Sequence, residues 1–173
     1  MSKDEALAER CRALKLILSD VDGVMTDGTL YIGAQGEAFK AFNILDGHGV
    51  KMLQAAGVAT AILSGRSSEA VTRRAGELGI AHVVQGSADK VADFERLIAA
   101  VGVQPTECAF VGDDLPDLDV MRRCGLAVAV ANAVPAVKDA AHYVTRASGG
   151  RGAVREFCEM VLMHRQLHAP RAV

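Results

Sequence analysis

The sequence predicts one α/β domain, a doubly wound, Rossmann-like parallel sheet flanked by helices, with a small inserted β-hairpin and no cap domain. Short, near-continuous apolar runs recur along the chain and end at polar residues, as strands buried on both faces do. Between them, apolar positions recur at spacings of three and four, the stripe of a helix lying on a sheet. One segment alone breaks this alternation, and it reads as a hairpin.

The elements follow in chain order. Lys3, Asp4, Glu5, Glu9, Arg10 and Arg12 spread charge over the N-terminus, where a secretory leader needs an apolar centre, so a cytoplasmic location is expected. The first strand is Leu14 to Ser19, ending at Asp20. Two alternating strands, Thr29 to Ile32 and Glu37 to Phe42, flank the Gly33–Gly36 turn and predict a hairpin over about 29–42. Further strands are expected at 58–63, 82–84, 108–111 and 126–130, with a weaker one at 143–145. Val91, Phe94, Leu97, Ile98 and Val101 predict a helix opened by Lys90, Leu115 to Arg123 a second, and Val154, Phe157, Cys158, Val161 and Leu162 a last one over 153–165. The strand-helix-strand order gives right-handed crossovers and a sheet covered on both faces.

Size and composition agree with a single domain spanning 1–173. The chain has 173 residues, of which 50% are apolar and 23% charged, enough to build a core and unlike a disordered segment. Nineteen Lys plus Arg against 21 Asp plus Glu leave a net charge of −2, which gives no basic excess for a nucleic-acid backbone. Two Tyr, five Phe and no Trp are too few for base-stacking platforms. No apolar run approaches the ~20 residues that span a bilayer. Cys11, Cys108, Cys124 and Cys158 are widely spaced and read as free thiols, and His82, His142, His164 and His168 have no metal-ligand spacing.

Chemistry is expected at the carboxyl ends of the strands, where open α/β sheets bind ligands. Asp20, Asp22 and Asp27 follow the first strand, Ser64-Gly65-Arg66 the second, and Gly112-Asp113-Asp114 with Asp117 the strand through Phe110. Carboxylates gathered in one cleft repel unless a hard cation sits among them, and an all-oxygen donor set suits Mg²⁺ better than zinc. Asp114 is the natural cap of the helix after it, and Asp27-Gly28 is possible turn chemistry. A hydroxyl at Ser64 and an ammonium at Lys90 would hold the oxygens of a transferring phosphoryl group, although Lys90 alone reads as a solvated first-turn lysine.

Asp20-Val21-Asp22-Gly23-Val24-Met25-Thr26 resembles the DxDx(T/V) signature of the haloacid dehalogenase (HAD) superfamily of phosphatases. Ser64, Lys90 and Gly112-Asp113-Asp114-Leu115-Pro116-Asp117 match its remaining motifs in order. Phe42 to Gly49, Ser64-Gly65-Arg66 and Gly149 to Glu156 resemble the small capless branch that acts on sugar-acid phosphates. The resemblance implies Asp20 as nucleophile and Asp22 as acid/base, with Ser64 and Lys90 completing the catalytic set. It implies Mg²⁺ held by the Asp20 and Asp113 carboxylates and the Asp22 main-chain carbonyl, with Asp114 and Asp117 behind them. The substrate site would comprise Asp22, Asn43, Ile44, Leu45, Asp46, Gly47, Lys51, Arg66, Arg74, Lys90 and Arg151, with His48 a possible polar contact. Read without the resemblance, Lys51 and Arg74 belong to a solvated helix face, and Gly149, Gly150 and Gly152 form a flexible connector rather than a phosphate cradle. The resemblance also implies a homotetramer in which hairpins assemble centrally and the 149–173 tail nears a neighbouring active site. Tyr31, Ile32, Phe39 and Phe42 would otherwise leave apolar surface in water. The close alternative within this branch is another 2-keto-3-deoxy sugar-acid phosphate, such as a nine-carbon sialic-acid-type 9-phosphate, as substrate; a non-catalytic regulatory protein of the same fold and a phosphatase of macromolecules are the competing readings.

Overall fold

The computed structural model describes residues 2–166. Its centre is a parallel sheet of β1 (Leu16–Ser19), β4 (Ala59–Leu63), β5 (His82–Val84), β6 (Cys108–Gly112), β7 (Leu126–Ala129) and β8 (Tyr143–Val144), in the order β5-β4-β1-β6-β7-β8. The order reverses at β1, where β4 pairs on one side and β6 on the other, so the crevice for a ligand opens beyond Ser19. Strands β1, β6 and β7 are buried at every position, because helices cover both faces of the sheet. The core runs through Leu16, Leu18, Leu63, Phe94, Phe110 and Phe157.

The helices are α1 (Lys3–Ala13), α2 (Ile44–Ala55), α3 (Glu69–Leu78), α4 (Lys90–Val101), α5 (Leu118–Met121), α6 (Pro135–Ala140) and α7 (Ala153–Gln166). The expected strands lie within about one or two residues of those found. Two expectations change. Leu115 to Arg123 is not one helix: Pro116 lies in a 3₁₀ turn over Leu115–Asp117, and only Leu118–Met121 is α-helical. The proline's fixed φ suits the first turn, and the tighter turn brings the Asp117 side chain back under the end of β6. Helix α1 was read only as charge. Its signal is the capping box, in which Ser2 Oγ accepts from Glu5 N and Glu5 accepts from Ser2 N.

The hairpin forms a separate antiparallel pair, β2 (Tyr31–Gly33) and β3 (Gly36–Phe39), shorter than expected at both ends. A register shift after Tyr31 bends it, and beyond Phe39 the chain turns inward to place Lys40. Tyr31 and Phe39 stack with ring centroids 4.4 Å apart, while Leu30, Ile32 and Phe39 stay exposed. No helix among the described residues is long and apolar enough to cross a membrane.

Candidate active site

Four elements, β1, β4, β6 and α4, converge at the carboxyl edge of the sheet. Asp20 leaves β1 with its amide still in the ladder, donating to Val111 O at 3.0 Å. The chain then wraps around Val21 O, which accepts from Val24, Met25 and Thr26 amides. Gly23 sits at φ +89°, and a Cβ there would lie 2.0 Å from Asp113 Oδ2, so only glycine lets this loop close against the β6 carboxylate. Ser64 follows β4 with its amide bound to Val84 O. Lys90 begins α4, whose N-cap Asp89 accepts from Val91 and Ala92 amides. Asp113 and Asp114 follow β6.

A cleft of about 200 Å³ is lined by Asp20, Asp22, Ser64, Gly65, Arg66, Lys90, Asp113, Asp114, Pro116 and Asp117. Lys90 Nζ lies 2.7 Å from Asp117 Oδ1 and 3.1 Å from Asp20 Oδ1, with the Phe110 ring beneath it at 5.9 Å. Asp117 is saturated: its other oxygen accepts from Asp113 N at 2.9 Å and Asp114 N at 3.3 Å. Asp20 Oδ1 and Asp113 Oδ1 are buried and accept no hydrogen bond, the Lys90 contact being one of charge without hydrogen-bond geometry. Oxygens of Asp20, Asp113 and Asp117 lie within 4.8 Å of one another. Buried carboxylate oxygens without donors are costly unless something positive meets them, and hard oxygen donors suit Mg²⁺. The residues therefore fit a divalent cation, with Asp20 and Asp113 facing it and Asp117 orienting Lys90 and the loop behind.

The electrostatics agree. Burial raises the Asp20 carboxyl, as does the charge of Asp117, while Lys90 opposes them. Burial, then the neighbouring Asp117, Asp20 and Asp114, pushes Asp113 up to about 7. Lys90 rises despite its burial, because Asp20 and Asp117 favour the ammonium.

The remaining expected residues fall elsewhere. Arg66 reaches the cleft, with Nε 3.4 Å from Asp22 Oδ2. Asn43 caps α2 through Leu45 and Asp46 amides and donates to Gly150 O at 3.4 Å. Ile44 and Leu45 point outward, 80% and 56% exposed. Asp46 is buried away from the cleft, accepting from Gly152 N and Arg155 N. Gly47 is pressed against Arg74, which pairs with Glu77 at 3.1 Å, and Lys51 and His48 lie exposed on α2. Arg151 pairs with Asp27 at 3.3 Å on the surface. Asp114 accepts from Leu115 N at 2.8 Å, a capping contact. The Asn43–Gly47, Lys51, Arg74 and Arg151 group thus stands outside the cleft of its own chain. The end of the tail, residues 167–173 with His168, lies outside the described residues.

The connector expectation for 149–152 is corrected. Gly149 N donates to Asn132 Oδ1 at 2.6 Å, Gly150 N to Val24 O at 3.0 Å and Gly152 N to Asp46 Oδ2 at 3.3 Å. A Cβ at Gly149 would lie 1.8 Å from Gly23 O, so these glycines serve close backbone approach rather than looseness. Sequence reasoning missed Asn132, which also donates to Gly23 O at 3.0 Å, and missed Lys40 and Glu37 beside Asp22. None of the three carries a local motif; they are found only once the loops are folded together.

Residues 76–157 match the family model for haloacid dehalogenase-like hydrolases. The chain is 47% identical over 155 residues to the 3-deoxy-D-manno-octulosonate 8-phosphate phosphatase of Yersinia pestis, covering 90% of this chain and 83% of the relative. The corresponding enzyme of Escherichia coli K12 is 45% identical over 150 residues, covering 87% and 80%. Among solved structures, a probable yrbi family phosphatase from Pseudomonas syringae superposes with a TM-score of 0.91 at 52% identity, over 93% of this chain and 92% of that one. The Moraxella catarrhalis 3-deoxy-D-manno-octulosonate 8-phosphate phosphatase, solved with magnesium, phosphate and KDO, superposes with a TM-score of 0.91 at 39% identity over 94% and 93%. Identity at this level across most of the length of these relatives, with the same fold, shows that the chain is a haloacid dehalogenase-like hydrolase belonging to the family of the 3-deoxy-D-manno-octulosonate 8-phosphate phosphatases.

Proposed function

We propose that this chain hydrolyses 3-deoxy-D-manno-octulosonate (KDO) 8-phosphate to KDO and inorganic phosphate, in Mg²⁺-dependent fashion, as a step of lipopolysaccharide synthesis. The observation that carries the reading is the pair of donor-starved oxygens on Asp20 and Asp113 beside Lys90, in a cleft that also holds Asp22. Asp20 is the nucleophile: its carboxylate forms a bond to phosphorus as the bond from phosphorus to the sugar oxygen breaks. Asp22 gives its proton to the departing oxygen. It then takes one from the water that attacks the aspartyl-phosphate, releasing phosphate and restoring Asp20. Lys90 and Ser64 bind the phosphoryl oxygens, and Asp117 holds Lys90 against Asp20. Mg²⁺, held by Asp20, Asp113 and the Asp22 carbonyl, supplies charge neutralisation for the phosphoryl group.

The cleft of about 200 Å³ is small beside the roughly 300–1,000 Å³ of common ligand sites, and it suits the phosphate end of the substrate. The sugar acid then needs a second surface. Asn43, Ile44, Leu45, Gly47, Lys51, Arg74 and Arg151 supply it in the reading that neighbouring chains of a cytoplasmic homotetramer complete each site, while Asp46 holds this stretch to the start of α7 from behind. Supporting that assembly, the hairpin leaves Ile32 66% and Phe39 56% exposed, and a lone two-stranded ribbon is marginal in water. The whole chain, 1–173, is taken as a single domain.

The test is phosphate release over a panel of KDO 8-phosphate, a nine-carbon sialic-acid-type 9-phosphate, simple monophosphates and phosphopeptides, with and without Mg²⁺. Preference for KDO 8-phosphate is expected, abolished by chelation and reduced at least about 10⁴-fold in Asp20→Asn. Preference for the nine-carbon substrate would move the assignment to that sugar acid, and metal-independent or absent release would overturn it. Light scattering at micromolar concentration checks the tetramer, which a monomer would exclude.

A further inference from the structure

The hairpin is an exposed ribbon, yet the Lys40 side chain just after it is 3% exposed. A lysine at such a position ordinarily leaves its ammonium in water, because burying the charge is costly without partners. Here Nζ lies 2.5 Å from Asp22 Oδ1 and 3.0 Å from Glu37 Oε2. Glu37 is itself held: Oε1 accepts from Ser68 Oγ at 2.5 Å and Oε2 meets Arg66 Nη2 at 3.2 Å. Arg66 Nε approaches the other Asp22 oxygen at 3.4 Å. Both oxygens of Asp22 are thus fixed by cations, one from the hairpin and one from the loop after β4, and the two cations share Glu37.

We propose that Lys40 and Glu37 are positioning residues for Asp22, so that the hairpin sets the orientation of the acid/base carboxylate. The inference rests on the reading of Asp22 given above. Lys40 neither gives nor takes a proton. It fixes the plane of the carboxyl group so that Asp22 faces the leaving oxygen when the proton passes, and the same placement serves when Asp22 receives the proton of water. Glu37 keeps Lys40 from swinging into solvent, and Ser68 and Arg66 keep Glu37 in place. A role limited to docking the hairpin would affect every substrate alike, whereas a role through Asp22 falls on the step that needs a proton. A sugar alkoxide needs one to depart. The phenolate of p-nitrophenyl phosphate does not.

The test is rapid-quench measurement of aspartyl-phosphate formation from KDO 8-phosphate and from p-nitrophenyl phosphate, with unfolding and light scattering on the same samples. Lys40→Met is expected to slow formation from KDO 8-phosphate about 10²-fold with little change in KM, and from the aryl phosphate less than about threefold. Lys40→Arg, which restores a buried cation, is expected to recover most of the rate. Glu37→Gln leaves Lys40 its bond to Asp22 and is expected to give a smaller loss of the same selectivity, so it serves if Lys40→Met does not fold. Equal losses on both substrates, losses that track dissociation of the assembly, or no loss would overturn the proposal. Asp22→Asn separates the two readings. If it shows the sugar-selective loss and Lys40→Met does not, positioning fails alone; if it shows none, the acid/base assignment fails.

Discussion

Two regions draw carboxylates wholly or partly out of water and treat them in opposite ways. Around α7, Asp46 accepts from the Gly152 and Arg155 amides, and Glu156 accepts from Tyr143 Oη at 2.7 Å and from the Arg146 and Ala147 amides. At the sheet edge, Asp20 and Asp113 each keep one buried oxygen without a donor. Burial raises Asp46 too, but its amide bonds pull the other way; Asp113 has like charges around it and reaches about 7. Burial of an acid therefore does not mark a reactive one. The orphaned oxygen does, because a fold that satisfies Asp46 and Glu156 so fully leaves Asp20 and Asp113 open to a cation.

The comparison is sharpened most strongly by metal binding. Mg²⁺ at about 100 times its Kd stabilises by roughly 2.7 kcal/mol, which in a domain of this size raises Tm by roughly 5–10 °C. Asp113→Asn is expected to abolish that rise. Metal-free, at about pH 8, the same variant is expected to melt above the wild type, since it removes a carboxylate whose ionised form the folded site disfavours. Calorimetry with and without Mg²⁺ reads both. A metal-dependent rise that survives in Asp113→Asn would break the distinction.

Asp46 gives the converse result. Asp46→Ala strands the amides at the start of α7 and is expected to cost about 1–3 kcal/mol in urea unfolding, with the Mg²⁺-dependent rise intact. Its turnover, measured where the variant is folded, is expected to stay within about tenfold of wild type. Loss of turnover with an unchanged unfolding midpoint would instead make Asp46 a substrate contact, as the resemblance implied.

Much of the fold was legible because its signals are local. Buried strands such as Ala59–Leu63 and Cys108–Gly112 are continuous apolar runs, and the acids that end them stand next to them in sequence. The cleft residues Asp20, Ser64, Asp113 and Asp117 were found for the same reason, since each stands just beyond the end of a strand whose direction the sheet dictates, whereas Lys90, a solvated first-turn lysine when read alone, was placed among them only by the resemblance. What escaped depends on contacts across the chain. Asn132 bridges Gly23 and Gly149, over a hundred positions apart in one case, and nothing near it in sequence announces the bridge. Lys40 fell inside the expected strand Glu37 to Phe42, and the turn after Phe39 is what carries it to Asp22. The glycines at 149–152 looked flexible because glycine permits both looseness and close approach, and only the neighbours Gly23 O and Val24 O decide between them.

Glu156 offers the smallest and most specific check, since its satisfaction leaves a signature in pH. Burial alone would raise its carboxyl, but the bonds from the Arg146 amide, Tyr143 Oη and the Ala147 amide, with the Arg146 charge, hold it below its ordinary 4.5. A carboxylate depressed on folding contributes stability that is present above its unfolded value and lost as pH falls through its folded value. Glu156→Gln keeps the shape but replaces one acceptor oxygen by a donor that faces an amide. It is expected to cost about 1 kcal/mol near neutral pH. Urea unfolding of the two proteins should therefore differ most at about pH 6–8 and converge as the wild-type carboxylate takes up its proton below about 4.5. If the gap instead stayed constant down to acid, the loss would be one of packing, and the half-buried Glu156 would no longer stand with Asp46 as an acid stabilised through its hydrogen bonds.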